Sequence, residues 1–166
     1  MNKIEIEEFK IRFAVDKDID LILKFIKSLA CYEEMIDEVT ATKEDLLETL
    51  FNKKYAEVLI GEYNGVPVGF MLFFHNYSTF IGCPGIYLED FYIEPKWRNN
   101  GFGKIMLAFL AELAIERKCK RIEWCCLNWN EPSINFYKSI GAIPMEDWTT
   151  FRLDENGINI TASSNK

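Results

Sequence analysis

The stretch Arg98-Asn99-Asn100-Gly101-Phe102-Gly103-Lys104 lies between a predicted strand, Ile86–Ile93, and a predicted helix that runs from Gly101 to Lys118. Glycine adds no side chain and accepts positive φ angles, so it allows a tight turn and the close approach of a ligand. The first amides of a helix attract anions, and the helix dipole strengthens this attraction. The stretch therefore predicts a phosphate-binding loop, with a pyrophosphate as the expected ligand.

The residues present exclude two other phosphate loops. A P-loop would need GxxxxGK followed by Ser or Thr, which is absent. A dinucleotide-binding GxGxxG loop would need glycine at the position that Met106 occupies. By itself the loop still has an alternative interpretation, a glycine-rich turn that only closes a strand–helix junction.

Hydrophobic periodicity on both sides of the loop predicts alternating helices and strands. Asp16 or Asp18 is expected to cap a first helix that ends near Tyr32 or Glu33. The pair Thr42 and Asp45 predicts a capping box for a second helix. A later helix is expected over Glu131–Ile140. Strands are predicted over Lys10–Val15, Ala56–Tyr63, Val66–Asn76, Ile86–Ile93, Arg121–Leu127 and Trp148–Leu153.

The order of these elements, β-α-α-β-β-β-α-β-α-β, predicts a mixed α/β fold. Antiparallel strands come first, with Asn64-Gly65 as a hairpin turn, and a βαβ crossover follows. No repeat or linker divides the sequence, so a single domain over 1–166 is expected, with 161–166 as a polar tail.

Composition restricts the partners. With a formal net charge of −7, the chain is a poor match for nucleic acid, because phosphate binding needs clustered Lys and Arg. A negative field attracts small cations, although an acidic surface also serves solubility. No apolar run approaches the ~20 residues of a membrane span, and the N-terminus lacks a signal-peptide pattern. A cytoplasmic protein without a membrane partner is expected.

The cysteines do not predict a metal site. Their number, five, is odd, no CxxC spacing occurs, and His75 is the only histidine. We expect thiols in a reducing compartment and no bound metal. Cys125 and Cys126 are interpreted as strand core residues, because no histidine is offered as a base for a nucleophilic cysteine.

The loop also fits (Q/R)-x-x-G-x-(G/A), and here the chain resembles the GNAT superfamily of N-acetyltransferases. It is most similar to the diamine acetyltransferase family, which contains spermidine/spermine N1-acetyltransferase and its thialysine-acetylating relatives. The resemblance runs from about Ile11 to Asp154, and its most specific segment is the nine-residue string Trp129–Tyr137. Further matching segments are Ala30–Glu33, Tyr87–Tyr92 and Arg98–Gly103. It implies a mostly antiparallel sheet that opens at the acetyl-CoA site.

The resemblance also implies residue roles. The backbone of Phe91, Tyr92 and Ile93 would pair with the pantetheine arm of acetyl-CoA. Tyr137 would be the general acid that protonates the thiolate leaving group, and it shares a helix face with Asn130. A packing tyrosine is the alternative interpretation. The other expected cofactor contacts are Arg98, Asn99, Asn100, Gly101, Phe102, Gly103, Lys104, Asn130, Glu131, Pro132, Ser133 and Tyr137.

Substrate residues are expected at several points. Glu89 and Asp90 are adjacent on a predicted strand, so they should point to opposite faces. The resemblance places Glu89 in the pocket, where it would hold the ammonium and relay its proton, unless it is only a solvated charge. Tyr32 and Glu33 match the family's amine-binding pair. Glu123, Trp124, Cys125 and Glu146 lie near further substrate positions but differ in kind from the family's residues.

The expected activity is direct acetyl transfer from acetyl-CoA to a primary amine in a ternary complex, with backbone donors near Ile93 stabilising the oxyanion. The substrate would be a polyamine, a diamine or a lysine analogue such as thialysine, and a homodimer is implied. Two alternatives are a protein or peptide acceptor and a non-catalytic acyl-CoA sensor.

Overall fold

The computed structural model describes residues 8–164. Contacts within the chain divide it into two compact units, and the boundary lies between Cys125 and Cys126. The prediction of a single domain over 1–166 therefore stays a prediction, and each unit is described by itself.

Within residues 8–164, the first unit contains all five strands and the first three helices. The strands are β1 (Phe9–Phe13), β2 (Glu57–Tyr63), β3 (Val66–Ser78), β4 (Cys83–Ile93) and β5 (Ile122–Glu123). The helices are α1 (Ile19–Tyr32), α2 (Lys43–Leu46, continued as a π-helix over Leu47–Asn52) and α3 (Phe102–Glu116), with short 3-10 turns at Asp16–Asp18, Ile36–Glu38 and Pro95–Trp97. The second unit contains α4 (Glu131–Ser139) and α5 (Glu155–Ser163).

The sheet has the strand order β1-β2-β3-β4-β5. The first four strands are antiparallel, and β5 is parallel to β4. Asn64 and Gly65 connect β2 to β3 with φ angles of 51° and 73°, the positive pair that a two-residue hairpin turn requires. The predicted mixed, mostly antiparallel α/β fold is confirmed.

Helices cover both faces of the sheet. On one face, Phe25 of α1 stacks on Phe70 of β3 with ring centroids 5.4 Å apart, and both belong to a buried cluster with Ile60. Gly61 follows Ile60 and so faces the other side, where a Cβ on it would come 2.9 Å from the sulfur of Met106 in α3. The sheet is thus a central layer between α1 and α3.

Two glycines are paired at the centre of this sheet, where neighbouring atoms approach the backbone closely. Gly61 and Gly69 are opposite each other across β2 and β3. A Cβ on Gly61 would lie 2.8 Å from the Phe9 ring, and one on Gly69 would lie 2.4 Å from the Tyr92 carbonyl oxygen. Both distances are shorter than a contact allows, so a side chain at either position would force neighbouring atoms to shift.

Two predicted strands are wrong in extent or in kind. The strand predicted over Arg121–Leu127 is only Ile122–Glu123, because β5 stays paired with β4 for two residues and then leaves it. The strand predicted over Trp148–Leu153 has no strand partner among residues 8–164, and its backbone is irregular. Trp148 and Phe151 are 73% and 89% exposed, so alternation reflected exposed apolar side chains and not a half-buried strand.

The end of the chain also differs from the expected polar tail. The Asp154 side chain accepts a hydrogen bond of 2.7 Å from the Gly157 amide and so caps α5. The helix then continues through Ser163, three residues into the predicted tail. Cys125 is exposed and Cys126 half-buried, and neither lies in a strand, so their interpretation as strand core residues is wrong as well.

Candidate active site

The open edge of β4 is the central feature of the candidate site. Pairing with β5 involves only Ile86 and Tyr87. From Leu88 to Ile93, β3 is the only strand partner of β4 in the described part of the chain. Backbone groups on the free side of this segment are therefore available to an extended ligand.

A β-bulge interrupts β4 within this segment. Leu88 is opposite Phe73 and Asp90 is opposite Leu72, so Glu89 is an extra residue without a partner on β3. Strict alternation of side chains fails at such a bulge. Asp90 lies on the α1 face of the sheet, because its partner Leu72 packs against the cluster beneath α1.

The negative charges of Glu89 and Glu33 act on the Asp90 carboxyl at this point. Burial first, and then the negative charges of Glu89 and Glu33, together raise the pKa of Asp90 to about 6. Burial also raises the pKa of Glu33, the residue that caps the end of α1. Negative charges held this close favour a bound cation, which would relieve their repulsion.

The expected phosphate loop is pinned to the sheet by aromatic stacking. Phe102 is buried, and its ring stacks on Phe9 with centroids 4.3 Å apart, while Tyr63 and Trp97 contact it from the sides. The loop backbone turns through Asn99 and Gly101, which have φ angles of 64° and 83°. Nothing lies within 4 Å of a Cβ built on Gly101, so the start of α3 is open to a ligand.

Asn100 and Arg98 stabilise this loop in different ways. The Asn100 side-chain amide donates to the carbonyl oxygens of Trp97 and Arg98, both at 3.0 Å. The Arg98 side chain turns back instead, and its Nε donates to the Ile93 carbonyl oxygen at 2.9 Å. Sequence reasoning missed the positive φ of Asn99, although Asn adopts this conformation more readily than other non-glycine residues, and it missed the direction of Arg98, for which the sequence holds no signal.

Glu123, one of the expected substrate residues, is held by neighbours. Its carboxylate accepts a hydrogen bond of 2.7 Å from the Asn76 amide and is paired with Arg121 at 2.8 Å. The Tyr87 hydroxyl donates to the Cys125 sulfur at 3.1 Å, and this bond is the first cause that raises the pKa of Tyr87 to about 12. Trp124, which lies between Glu123 and Cys125 in the sequence, is half-buried.

The remaining expected residues belong to the second unit. Asn130 is buried, and its side-chain oxygen accepts a hydrogen bond of 3.3 Å from the Ser133 amide, which caps α4. Pro132 lies in the first turn, and Tyr137 follows on the same face as Asn130, two turns along. Glu131 is an exposed residue of the same turn, and Glu146 is exposed in the segment after α4.

The first unit thus brings Tyr32, Glu33, Glu89 and Asp90 to one end of α1, and it places the loop at the start of α3. Among residues 8–164, no group of three or more His, Cys, Asp or Glu side chains is arranged to hold a metal ion. None of the helices in this range combines the length and the apolar character needed to cross a bilayer.

Comparison with known proteins agrees with this geometry. The model of the Acetyltransferase (GNAT) family matches residues 24–142. The chain is 33% identical over 158 residues to the thialysine N-epsilon-acetyltransferase of Caenorhabditis elegans, covering 92% of this chain and 96% of that protein. It is 28% identical to an L-ornithine N5-acetyltransferase of Arabidopsis thaliana, covering 87% and 83% of the two chains.

A solved structure is similar over nearly the whole chain. An integron cassette protein of V. cholerae superposes with a TM-score of 0.78 at 24% identity, covering 93% of this chain and 98% of that one. At this identity the likeness concerns the fold.

Proposed function

The chain belongs to the GNAT family of acetyltransferases and is an acyltransferase that acts on an amine; from this premise we propose that the amine is a small cation, namely a polyamine, a diamine or a lysine analogue such as thialysine. The observation that carries the proposal is the carboxylate cluster of Glu33, Glu89 and Asp90 beside the open edge of β4. A compact group of negative charge suits a substrate with one or more ammonium groups.

Acetyl-CoA is the proposed acyl donor, and the residues present fit it. The open start of α3 suits a pyrophosphate, since Gly101 has free space where a side chain would be and the first amides of the helix are unpaired within it. The segment Leu88–Ile93 offers backbone groups to the pantetheine arm. Acetyl-CoA supplies the thioester that the amine attacks.

The acidic end of α1 would hold and deprotonate the amine. An alkylamine has an ordinary pKa of about 10, so it arrives as an ammonium and must lose a proton before it attacks. In our proposal Glu89, which is exposed, holds the reacting ammonium and accepts its proton through water, and Glu33 holds a distal ammonium of the substrate. Asp90 is ionised at pH 7 because its raised pKa of about 6 still lies below that value, so it adds to the attraction.

Two further groups complete the proposed mechanism. Tyr137 of α4 donates a proton to the thiolate leaving group, as the resemblance to the diamine acetyltransferases implies. Backbone donors near Ile93, at the free edge of β4, stabilise the negative charge that develops on the thioester oxygen. We keep the remaining expected contacts, among them Glu123, Trp124, Cys125 and Glu146, as proposals for the distal part of the substrate.

We propose that the enzyme is a cytoplasmic homodimer. Support comes from the second unit, in which Ile143, Met145, Trp148 and Phe151 are exposed apolar side chains in one segment. Exposed apolar residues in such a group are typical of protein interfaces.

The test is the release of free CoA from acetyl-CoA with a panel of amines. The panel contains spermidine, spermine, putrescine, thialysine, lysine, ornithine and a lysine-containing peptide. Turnover on one of the small amines with little on the peptide supports the proposal and identifies the substrate. Turnover on the peptide alone favours a protein acceptor, and tight acetyl-CoA binding without turnover on any amine favours a sensor domain.

A further inference from the structure

The side chain of Arg98 connects three elements of the first unit. Arg98 follows the 3-10 turn Pro95–Trp97, and its Nε donates to the carbonyl oxygen of Ile93, the last residue of β4. Its guanidinium lies over the ring of Tyr32, the last residue of α1, with 4.4 Å from Cζ to the ring centroid. Tyr92 of β4 flanks it, at 5.6 Å.

The Arg98 side chain therefore makes contacts that are separate from phosphate binding. Both the hydrogen-bonding Nε and the flat face of the guanidinium are engaged by groups of α1 and β4, on the sheet side of the loop. A cation over a tyrosine ring within about 6 Å is attracted by the ring and holds it in place. Lys104, one turn into α3, remains the cationic side chain of the loop that follows Gly101.

The last turn of α1 is closed by backbone contacts. Glu34 adopts a left-handed conformation with a φ of 61°, and the Met35 amide donates to the Ala30 carbonyl oxygen at 2.8 Å, which closes the last turn. Tyr32 and Glu33 lie inside that closed turn, so a contact that fixes the position of Tyr32 also constrains the backbone from which the Glu33 side chain extends.

We infer that Arg98 is a positioning residue for the amine: its side chain braces the end of α1 against the end of β4 and so sets where Glu33 stands. The inference rests on the proposed function in one respect, the binding of the amine at Tyr32 and Glu33. It differs from the expected role of Arg98 in cofactor binding, which in this view belongs to the loop backbone and to Lys104.

The experiment compares two cation removals in one loop. Arg98→Gln and Lys104→Gln are assayed for the KM of spermidine and of thialysine and for the Kd of acetyl-CoA. Arg98→Gln is expected to raise the KM of the used amine about three- to tenfold and to leave the Kd of acetyl-CoA within about twofold. Lys104→Gln is expected to show the reverse pattern.

A double-mutant cycle with Tyr32 tests the same contact from its other side. The conservative variants Tyr32→Phe and Arg98→Lys guard against a loss that is due only to misfolding. Tyr32→Phe keeps the ring and should raise the amine KM less than Tyr32→Leu, which should raise it at least as much as Arg98→Gln does. The double variant Arg98→Gln/Tyr32→Leu should then be no worse than Tyr32→Leu alone, because both remove the same contact. Arg98→Lys, which retains a charge for the ring, should recover part of the loss.

A readout without any amine separates this inference from the proposed function. Hydrogen exchange of the amides of Glu33, Glu34 and Met35 should be faster in Arg98→Gln than in the wild type and unchanged in Lys104→Gln. Unchanged exchange in Arg98→Gln, a raised Kd of acetyl-CoA with an unchanged amine KM, or additive effects in the cycle would each overturn the inference. Faster exchange with an unchanged amine KM would overturn the inference too. If Glu33→Gln also left the amine KM unchanged, the proposed binding of the amine at the end of α1 would fail as well.

Discussion

Phe9 and Phe102 stack nearly face to face, with 4.3 Å between ring centroids and 8° between ring planes. One ring belongs to β1 and the other to the first turn of α3, so the contact fastens the proposed phosphate loop to the sheet. Most of what α3 offers to a ligand is backbone, and the position of that backbone depends on this buried contact.

The first prediction concerns this pair. Phe9→Leu and Phe102→Leu should each lower the free energy of unfolding by about 1 to 2 kcal/mol, because both lose the ring contact. Their effects should not add in the double variant, since they share one interaction. Both variants should also weaken acetyl-CoA binding, because each loses the contact that holds the loop in position. Urea unfolding and calorimetric titration measure the two effects, and full additivity would contradict the shared contact.

The second prediction is a pH dependence caused by Asp90. Its pKa is about 6 in the folded protein and 3.8 in the reference state, so between these values the folded state binds the proton more tightly. The free energy of unfolding should therefore fall as the pH rises through this window, and the whole cost should be present above pH 6. Asp90→Asn removes this cost. The free energy of unfolding of the variant relative to the wild type should therefore increase by about 1 to 3 kcal/mol from pH 4 to pH 7.

The control for Asp90→Asn is Glu112→Gln, an exposed carboxylate on α3. Urea unfolding at both pH values measures the effect, and the control should show no such gain. An Asp90→Asn variant whose stability relative to the wild type is the same at both pH values would show that the Asp90 carboxyl is well solvated.

The third prediction separates two neighbouring glutamates. Glu33 is half-buried, and its pKa is raised by burial, whereas Glu34 is exposed. Glu33→Gln should raise the KM of the substrate amine about tenfold, the typical effect of losing a charge-assisted hydrogen bond to a ligand, with little change in kcat. Glu34→Gln is the matched control and should behave as the wild type. Equal effects of the two variants would point to a general field and not to a specific anchor.

The fourth prediction tests the proposed acid. Tyr137→Phe should lower kcat about 100-fold and leave the Kd of acetyl-CoA unchanged, because the ring stays and only the proton donor is lost. The loss should shrink with a thioester whose thiol has a low pKa, since such a leaving group needs less protonation. Tyr55→Phe removes the hydroxyl of an exposed tyrosine outside the proposed site and serves as the control. Full activity in Tyr137→Phe would assign the tyrosine to packing.

The sequence predicted most of the first unit, because the signals there are local. The capping box at Thr42 and Asp45 forms as expected, and the Asn64-Gly65 turn has the expected positive φ angles. Helices α1, α3 and α4 agree with their predicted bounds to within a few residues. In each case, residues close in sequence provide both the pattern and the stabilising contact.

What the sequence did not show depends on contacts between distant residues. The bulge at Glu89 arises from the register of β3 and β4, so the rule of alternating side chains, from which we expected Glu89 and Asp90 on opposite faces, does not apply strictly there. The contact of Arg98 with Tyr32 joins residues that are 66 positions apart. The strand predicted over Trp148–Leu153 had a correct pattern but has no strand partner within residues 8–164.

The facing glycines Gly61 and Gly69 limit how this enzyme can be altered. Gly61 leaves room for Phe9 and Met106, and Gly69 leaves room for the backbone of Tyr92. A substitution there would displace the stacked ring beneath the loop or the end of β4 before it touched any amine contact. In a directed-evolution library for new acceptors, these two codons are best held fixed.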